Sequence, residues 1–256
     1  MNGLWAAARK FAASSWLVFV SQGLEIRHMW FWSLVMMSFI PLTMLGFLLL
    51  FGDTSPERVI YIVTGSITYS VALQAGLSLG QGIGYMKVGR VFDYDASLPI
   101  TKPAFIFGLN LKALVLCVPS TLTLLAIALL AFGVRLVNPG WLLVAFVLGG
   151  FSLAGLGAAI GFYSRSGQIA SIATQIATPI LVFFAPVYMP EAALPTFLRY
   201  TAWVLPTTHV ARLVRSAFGD AVQGTGQSVA ILAGFVVLSV LLVQRGLDWR
   251  GDRPLA

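Results

Sequence analysis

Six long apolar runs recur along this chain, at residues 30–50, 59–84, 103–132, 141–163, 168–185 and 228–243, and Lys112 is the one charged residue inside any of them. The hydrocarbon core of a bilayer is about 30 Å thick, and a helix rising 1.5 Å per residue crosses it in about 20 residues. Runs of this length and number leave little chain for anything else. Composition agrees: 58% of the residues are hydrophobic and 10% charged, and the mean hydropathy is +0.88. Soluble domains are nearer 25% charged, so a soluble enzyme, a disordered protein and a fibrous protein are excluded. The spacing predicts an all-α integral membrane protein. Residues 1–256 form a single transmembrane domain with six spans.

The segments between the runs differ in character. Residues 1–28 begin with Arg9 and Lys10 ahead of a short apolar stretch, without a small-residue cleavage site after it. That pattern predicts an uncleaved helix lying in the membrane interface. Residues 85–102 mix charge with Val91, Phe92, Tyr94 and Leu98, and form the longest polar connection before residue 186. Exposed aromatics there point to a docking surface. Residues 186–227 contain Pro186, Pro190, Pro195 and Pro206 and are too broken to cross a bilayer straight. In the last part, Pro206-Thr207-Thr208 is expected to cap a helix through a hydroxyl.

Orientation follows from the basic residues. With six spans both termini share a side, and that side carries eleven of the 16 Lys and Arg residues against five on the other. The positive-inside rule then places both termini in the cytoplasm of a cell (plasma or inner) membrane, and residues 186–227 outside. The formal net charge of +7 suits anionic headgroups. The cations are scattered, so nucleic acid is not an expected partner, whereas membrane lipids are.

The polar residues inside the spans carry more information. Ser70, Gln74, Ser78 and Gln81 recur in the second run, and Gln168, Ser171, Gln175 and Thr178 in the fifth. Steps of three and four put each set on one face of a helix. Such faces avoid lipid, so they either bond between helices or line a pathway or dimer seam. Gly76-Leu77-Ser78-Leu79-Gly80 matches the nucleophile-elbow pattern, but it lies in a span rather than on a strand–turn–helix elbow. Gly155-Leu156-Gly157-Ala158-Ala159-Ile160-Gly161 loosely matches a dinucleotide loop, again without a strand. Close helix packing explains both better. There is no phosphate-cradling Gly-x-x-x-x-Gly-Lys-Ser/Thr and no zinc-ligand spacing, so no catalytic residue, metal or cofactor is assigned to this chain.

The whole pattern resembles the membrane (permease) subunit of the ABC type-2 exporter family. Three features carry the resemblance: an interfacial helix followed by six spans; the step Ser97-Leu98-Pro99-Ile100-Thr101-Lys102 into the third span; and an outer segment. That last segment reads Phe184-Ala185-Pro186-Val187-Tyr188-Met189-Pro190, then Leu194-Pro195, then Leu205-Pro206-Thr207-Thr208-His209 through Arg212 to Arg215. Asp93 and Asp95 stand where family members often carry glutamates. The resemblance implies a partner P-loop ATPase that holds ATP and Mg, and a second copy or homologue of this chain. It implies outward transport of a hydrophobic or amphipathic cargo (drug, lipid or lipid-linked glycan), with Lys87, Gly89, Arg90, Phe92, Asp93 and Leu98 coupling to the ATPase. The two polar faces would line the pathway. Pro186, Pro195, Pro206, Thr208, His209 and Arg212 would shape a re-entrant outer segment, His209 as a structural residue at a helix start. Two further readings remain open: an integral-membrane hydrolase using Ser78 or His209, and a non-transporting scaffold.

Overall fold

The computed structural model describes residues 2–27, 30–51, 55–89, 100–220 and 224–246, and among these all regular structure is helical. Helix α1 is Asn2–Arg27 and α2 is Trp30–Phe51. Helix α3, Pro56–Val71, runs through a π-helical segment, Ala72–Ser78, into α4, Leu79–Val88. Helices α5, α6 and α7 are Lys102–Leu130, Pro139–Tyr163 and Gly167–Phe183. A 3₁₀ turn at Glu191–Ala193 leads to α8, Thr196–Val204, α9, Pro206–Ala217, and α10, Thr225–Gly246.

Local chemistry sets several of these boundaries. Helices α3, α5, α6 and α9 each carry a proline in their first positions, where its fixed φ suits a helix and its missing N–H is not needed. Ser166 starts α7 by accepting a bond from the Ile169 amide at 3.2 Å, a side-chain N-cap. Beyond α5 the chain turns through Gly133, whose φ of +61° favours glycine.

Among the described residues, four helices are long and apolar enough to cross a membrane: Glu57–Val88, Lys102–Leu130, Pro139–Tyr163 and Thr225–Arg245. The other two expected spans are shorter as apolar helices, Ser38–Phe47 within α2 and Gly167–Phe183. The rod Glu57–Val88 is the hub. Its apolar window is 72% buried, against 22% for that of Thr225–Arg245. It packs on α6 and α7 through α4, on α5 and α2 through α3, and on α9.

Two features depart from simple span counting. Helix α1 lies along α5 rather than standing apart: a Cβ on Gly108 would sit 2.8 Å from the Ser15 carbonyl. Ser14, Ser15 and Val18 are buried there, while Trp5, Trp16 and Leu17 stay exposed. Helix α9, by contrast, is buried at every residue from Pro206 to Ala217, wrapped by α6, α10 and α3. At 9 and 12 residues, α8 and α9 rise only about 14 and 18 Å, and each is too short to cross a bilayer core.

Candidate functional site

The rod meets α6 at a seam of glycines. Gly76 and Gly80 of the rod interleave with Gly157 and Gly161 of α6. A Cβ on Gly80 would lie 2.6 Å from the Gly157 carbonyl, and one on Gly161 would lie 2.6 Å from the Gly80 carbonyl. Lacking a hydrophobic effect between helices in lipid, close backbone approach is what holds such helices together. Both glycine motifs singled out in the sequence are therefore used in one packing seam. The same Cβ on Gly80 would also meet the Thr174 methyl of α7, and one on Gly84 would meet Ala170.

Along the polar face of the rod, Ser70 and Ser78 both turn toward α5, but burial differs from one end to the other. Ser70 donates to Ser120 Oγ at 2.6 Å, and Ser120 in turn donates to the Cys117 carbonyl at 3.1 Å. Gln74 is also buried. Ser78 and Gln81 are only half-buried, and Ser78 faces a cavity shared with α5. A π-helical segment, Ala72–Ser78, lies within this stretch.

The stripe on α7 also divides. Thr178 is buried and donates to the Thr174 carbonyl at 2.9 Å. Gln168 and Gln175 are exposed and Ser171 is half-buried, with Gln175 Nε2 donating to Ser171 Oγ at 3.0 Å. Around them Ile169, Ile172, Ile176 and Ile180 are exposed. Thus α7 presents an outward face that is apolar except for two amides and a hydroxyl.

At the end of the rod, Lys87 is tied to the bundle. Its ammonium donates to the carbonyls of Phe162 and Ser164, both at 3.0 Å. These carbonyls belong to the C-terminal end of α6, where a cation also complements the helix dipole. The residue expected to couple outward thus has an inward structural partner. Lys87→Ala is expected to cost about 1 kcal/mol, read as a lowered thermal unfolding midpoint of the purified chain. Gly89 closes α4 at the same end. Arg90, Phe92, Asp93 and Leu98 lie outside the described residues.

The opposite end is organised around α9, where cations are satisfied inside the protein. Arg215, 3% exposed, donates to the carbonyls of Pro186 at 2.5 Å and Val187 at 2.6 Å, and its guanidinium lies 4.4 Å from the Tyr61 ring centroid. Burial lowers its pKa to about 10, which still leaves it charged at neutral pH. Arg212 pairs with Glu191 through Nε at 2.7 Å and stacks 4.5 Å from the Trp203 ring. His209 sits 3.0 Å from the Trp203 carbonyl through Nε2 and 3.2 Å from Ser228 Oγ through Nδ1. A carbonyl only accepts, so Nε2 carries the proton, and burial lowers the imidazole pKa. Pro206 starts α9, and Pro195 immediately precedes α8.

The expected hydroxyl cap is not made. Leu205 occupies the cap position, and Thr207 and Thr208 fall inside the helix. Thr207 donates instead to the Leu181 carbonyl of α7, and Thr208 Oγ1 is buried without a protein partner. Arg215 is the residue that sequence reasoning undervalued. Its signal was its position, three after Arg212 on one helix face in an otherwise apolar chain.

This architecture of apolar helices around an arginine-braced helix has a counterpart among known sequences. The pattern of the ABC-2 family transporter proteins matches residues 54–244. The chain belongs to the ABC-2 transporter family. It is accordingly a membrane protein and a permease-type subunit of an ABC transporter, a class that works with an ATP-binding partner, typically as a dimer. A comparison with curated proteins gives no significant match. The matched residues take in the rod, the glycine seam, α7, α9 and most of α10. Helices α1 and α2 precede them.

Proposed function

We propose that this ABC-2 chain is the permease of an ATP-driven exporter of a hydrophobic or amphipathic cargo, such as a drug, lipid or lipid-linked glycan. Two copies, or one copy and a homologue, would pair with two P-loop ATPases that bind ATP and Mg. The observation that carries this reading is the outward face of α7. Gln168 and Gln175 in contact with lipid tails would be costly, whereas the same face of a second copy offers amide partners across a two-fold axis. The pathway would open along that seam. In this reading α2 and α7 complete a set of six spans, α1 lies at the interface, and α8 and α9 re-enter from the outer side. The excess of Lys and Arg on the terminal side favours cytoplasmic termini. Residues 85–102 would meet the ATPase there. Cargo without strong charge is favoured because the six apolar runs hold one charged residue, Lys112.

Two results test the proposal. Gentle purification from native membranes should bring down an ATPase in equal amount; a chain that purifies alone under conditions that keep such complexes intact overturns it. In vesicles containing chain and ATPase, Gln175→Leu should lower cargo-stimulated ATP hydrolysis about tenfold, the equivalent of about 1.4 kcal/mol. Unchanged stimulation would remove the seam assignment. The hydrolase alternative is weakened by the arrangement of His209, whose two ring nitrogens face Trp203 and Ser228 and not Ser78. His28 lies outside the described residues.

A further inference from the structure

Among the described residues, Lys112 is the cation deepest in any spanning helix. It lies ten residues from Lys102, the first residue of α5. Every other described Lys or Arg of a spanning helix is within two residues of that helix's end. An ionisable side chain at such a position marks a functional site by default.

Three observations give this one a shape. Lys112 lines a cavity of about 230 Å³ between the rod and α5, together with Ser78, Gly82, Ile83, Met86 and Leu116. The cavity exists because α4 packs chiefly on α6 and α7 and leans away from α5. A Cβ added to Gly82 would meet nothing within 4 Å. Finally, Ser78 closes the π-helical segment, and such segments are frequent at functional sites.

Depth decides what fits. The 29 residues of α5 extend about 43 Å, roughly 13 Å more than a hydrocarbon core, so about 6 Å would project at each end. The Lys112 Cα lies about 15 Å from the Lys102 end, hence about 9 Å inside the core. Its Cβ is tilted toward the helix N-terminus, and the four-carbon stem carries the ammonium back toward headgroup level. Met86, two residues from the end of α4, lies on the same route. The volume is below the roughly 300 Å³ of the smallest pockets for drug-sized ligands. It suits a headgroup and the first part of a chain, not a whole cargo molecule.

We propose that this crevice holds an anionic phospholipid of the leaflet on the Lys102 side. Its phosphate pairs with Lys112 near Met86, its ester region receives the Ser78 hydroxyl, and its acyl chain starts against Leu116. The site requires only that the chain resides in a membrane, so it stands or falls separately from the export reading.

The test uses the purified full chain in neutral detergent, titrated with short-chain phosphatidylglycerol, phosphatidylcholine or inorganic phosphate while thermal unfolding is followed. Phosphatidylglycerol is expected to raise the unfolding midpoint more than phosphatidylcholine, and inorganic phosphate is expected to leave it unchanged. Lys112→Gln should weaken the apparent phosphatidylglycerol affinity about tenfold and abolish the preference, while Lys112→Arg keeps it. Gly82→Leu, which fills open space and leaves the charge in place, should also abolish the stabilisation. Equal shifts from the two lipids in the unsubstituted chain overturn the proposal. So does a preference that survives Lys112→Gln or Gly82→Leu. A shift from inorganic phosphate equal to that from phosphatidylglycerol would mean a free-anion site and overturns it as well.

Discussion

Gly157→Ala is expected to destabilise the chain by about 3 kcal/mol, a far larger effect than its single added methyl suggests. The new Cβ would run into the Gly76 carbonyl and backbone. A flexible side chain could rotate away from such a contact, but two helix backbones cannot. The rod and α6 would have to separate, and the contacts of Gly80 with Gly157 and of Gly161 with Ile83 would loosen together. Overpacking a well-filled core costs typically 1–3 kcal/mol, and a backbone obstacle puts this site at or above the top of that range. A thermal unfolding midpoint in detergent should fall by about 10 °C. Gly82→Ala is the matched control in the same rod. With open space above it, that methyl should be neutral or raise stability by up to about 1 kcal/mol, from helix propensity alone. If the two substitutions behave alike, the glycine seam is not what holds the rod to α6.

Arg215→Ala should be comparably damaging, for an electrostatic reason. Two effects oppose each other. Removing the guanidinium relieves the burial penalty that lowers its pKa to about 10. It also leaves the Pro186 and Val187 carbonyls without their donor, and opens a void beside Tyr61. Orphaned buried acceptors cost about 1–3 kcal/mol each, and the void adds to that, so loss outweighs relief. A net cost of about 3 kcal/mol is expected, together with faster proteolysis between α7 and α8, where the freed turn lies. Arg215→Lys should recover less than half of it, because an ammonium lacks the planar fork that reaches two carbonyls and stacks on Tyr61. Full recovery by lysine would show that only the charge matters there.

Much of this organisation was legible in the sequence. The apolar runs at 59–84, 103–132, 141–163 and 228–243 coincide with the four long helices, because lipid leaves a backbone no alternative to internal hydrogen bonding. The glycines at 76, 80, 84, 157 and 161 announced close packing, and their partners were the only missing fact. Pro103 and Pro206 begin helices as their sequence positions suggest, and Pro56 and Pro139, which read as turn residues, begin helices as well.

The polar stripes were less legible. Ser70, Gln74, Ser78 and Gln81 fit one face of an ideal helix, and periodicity carried no warning that the rod switches to π geometry at Ala72–Ser78. Local propensity does not select a π turn; the neighbours do. Lys87 likewise looks like a solvent-facing loop cation until α6 places its terminal carbonyls beside it. Arg212 and Arg215 read as members of a polar outer segment, and the fold turns them inward onto Glu191, Trp203, Tyr61 and two carbonyls. Membrane residence and helix placement depend on quantities each segment carries alone, namely apolar length and backbone stereochemistry. The partner of a buried cation depends on which distant carbonyl is left unpaired nearby, and that is known only when the helices have packed.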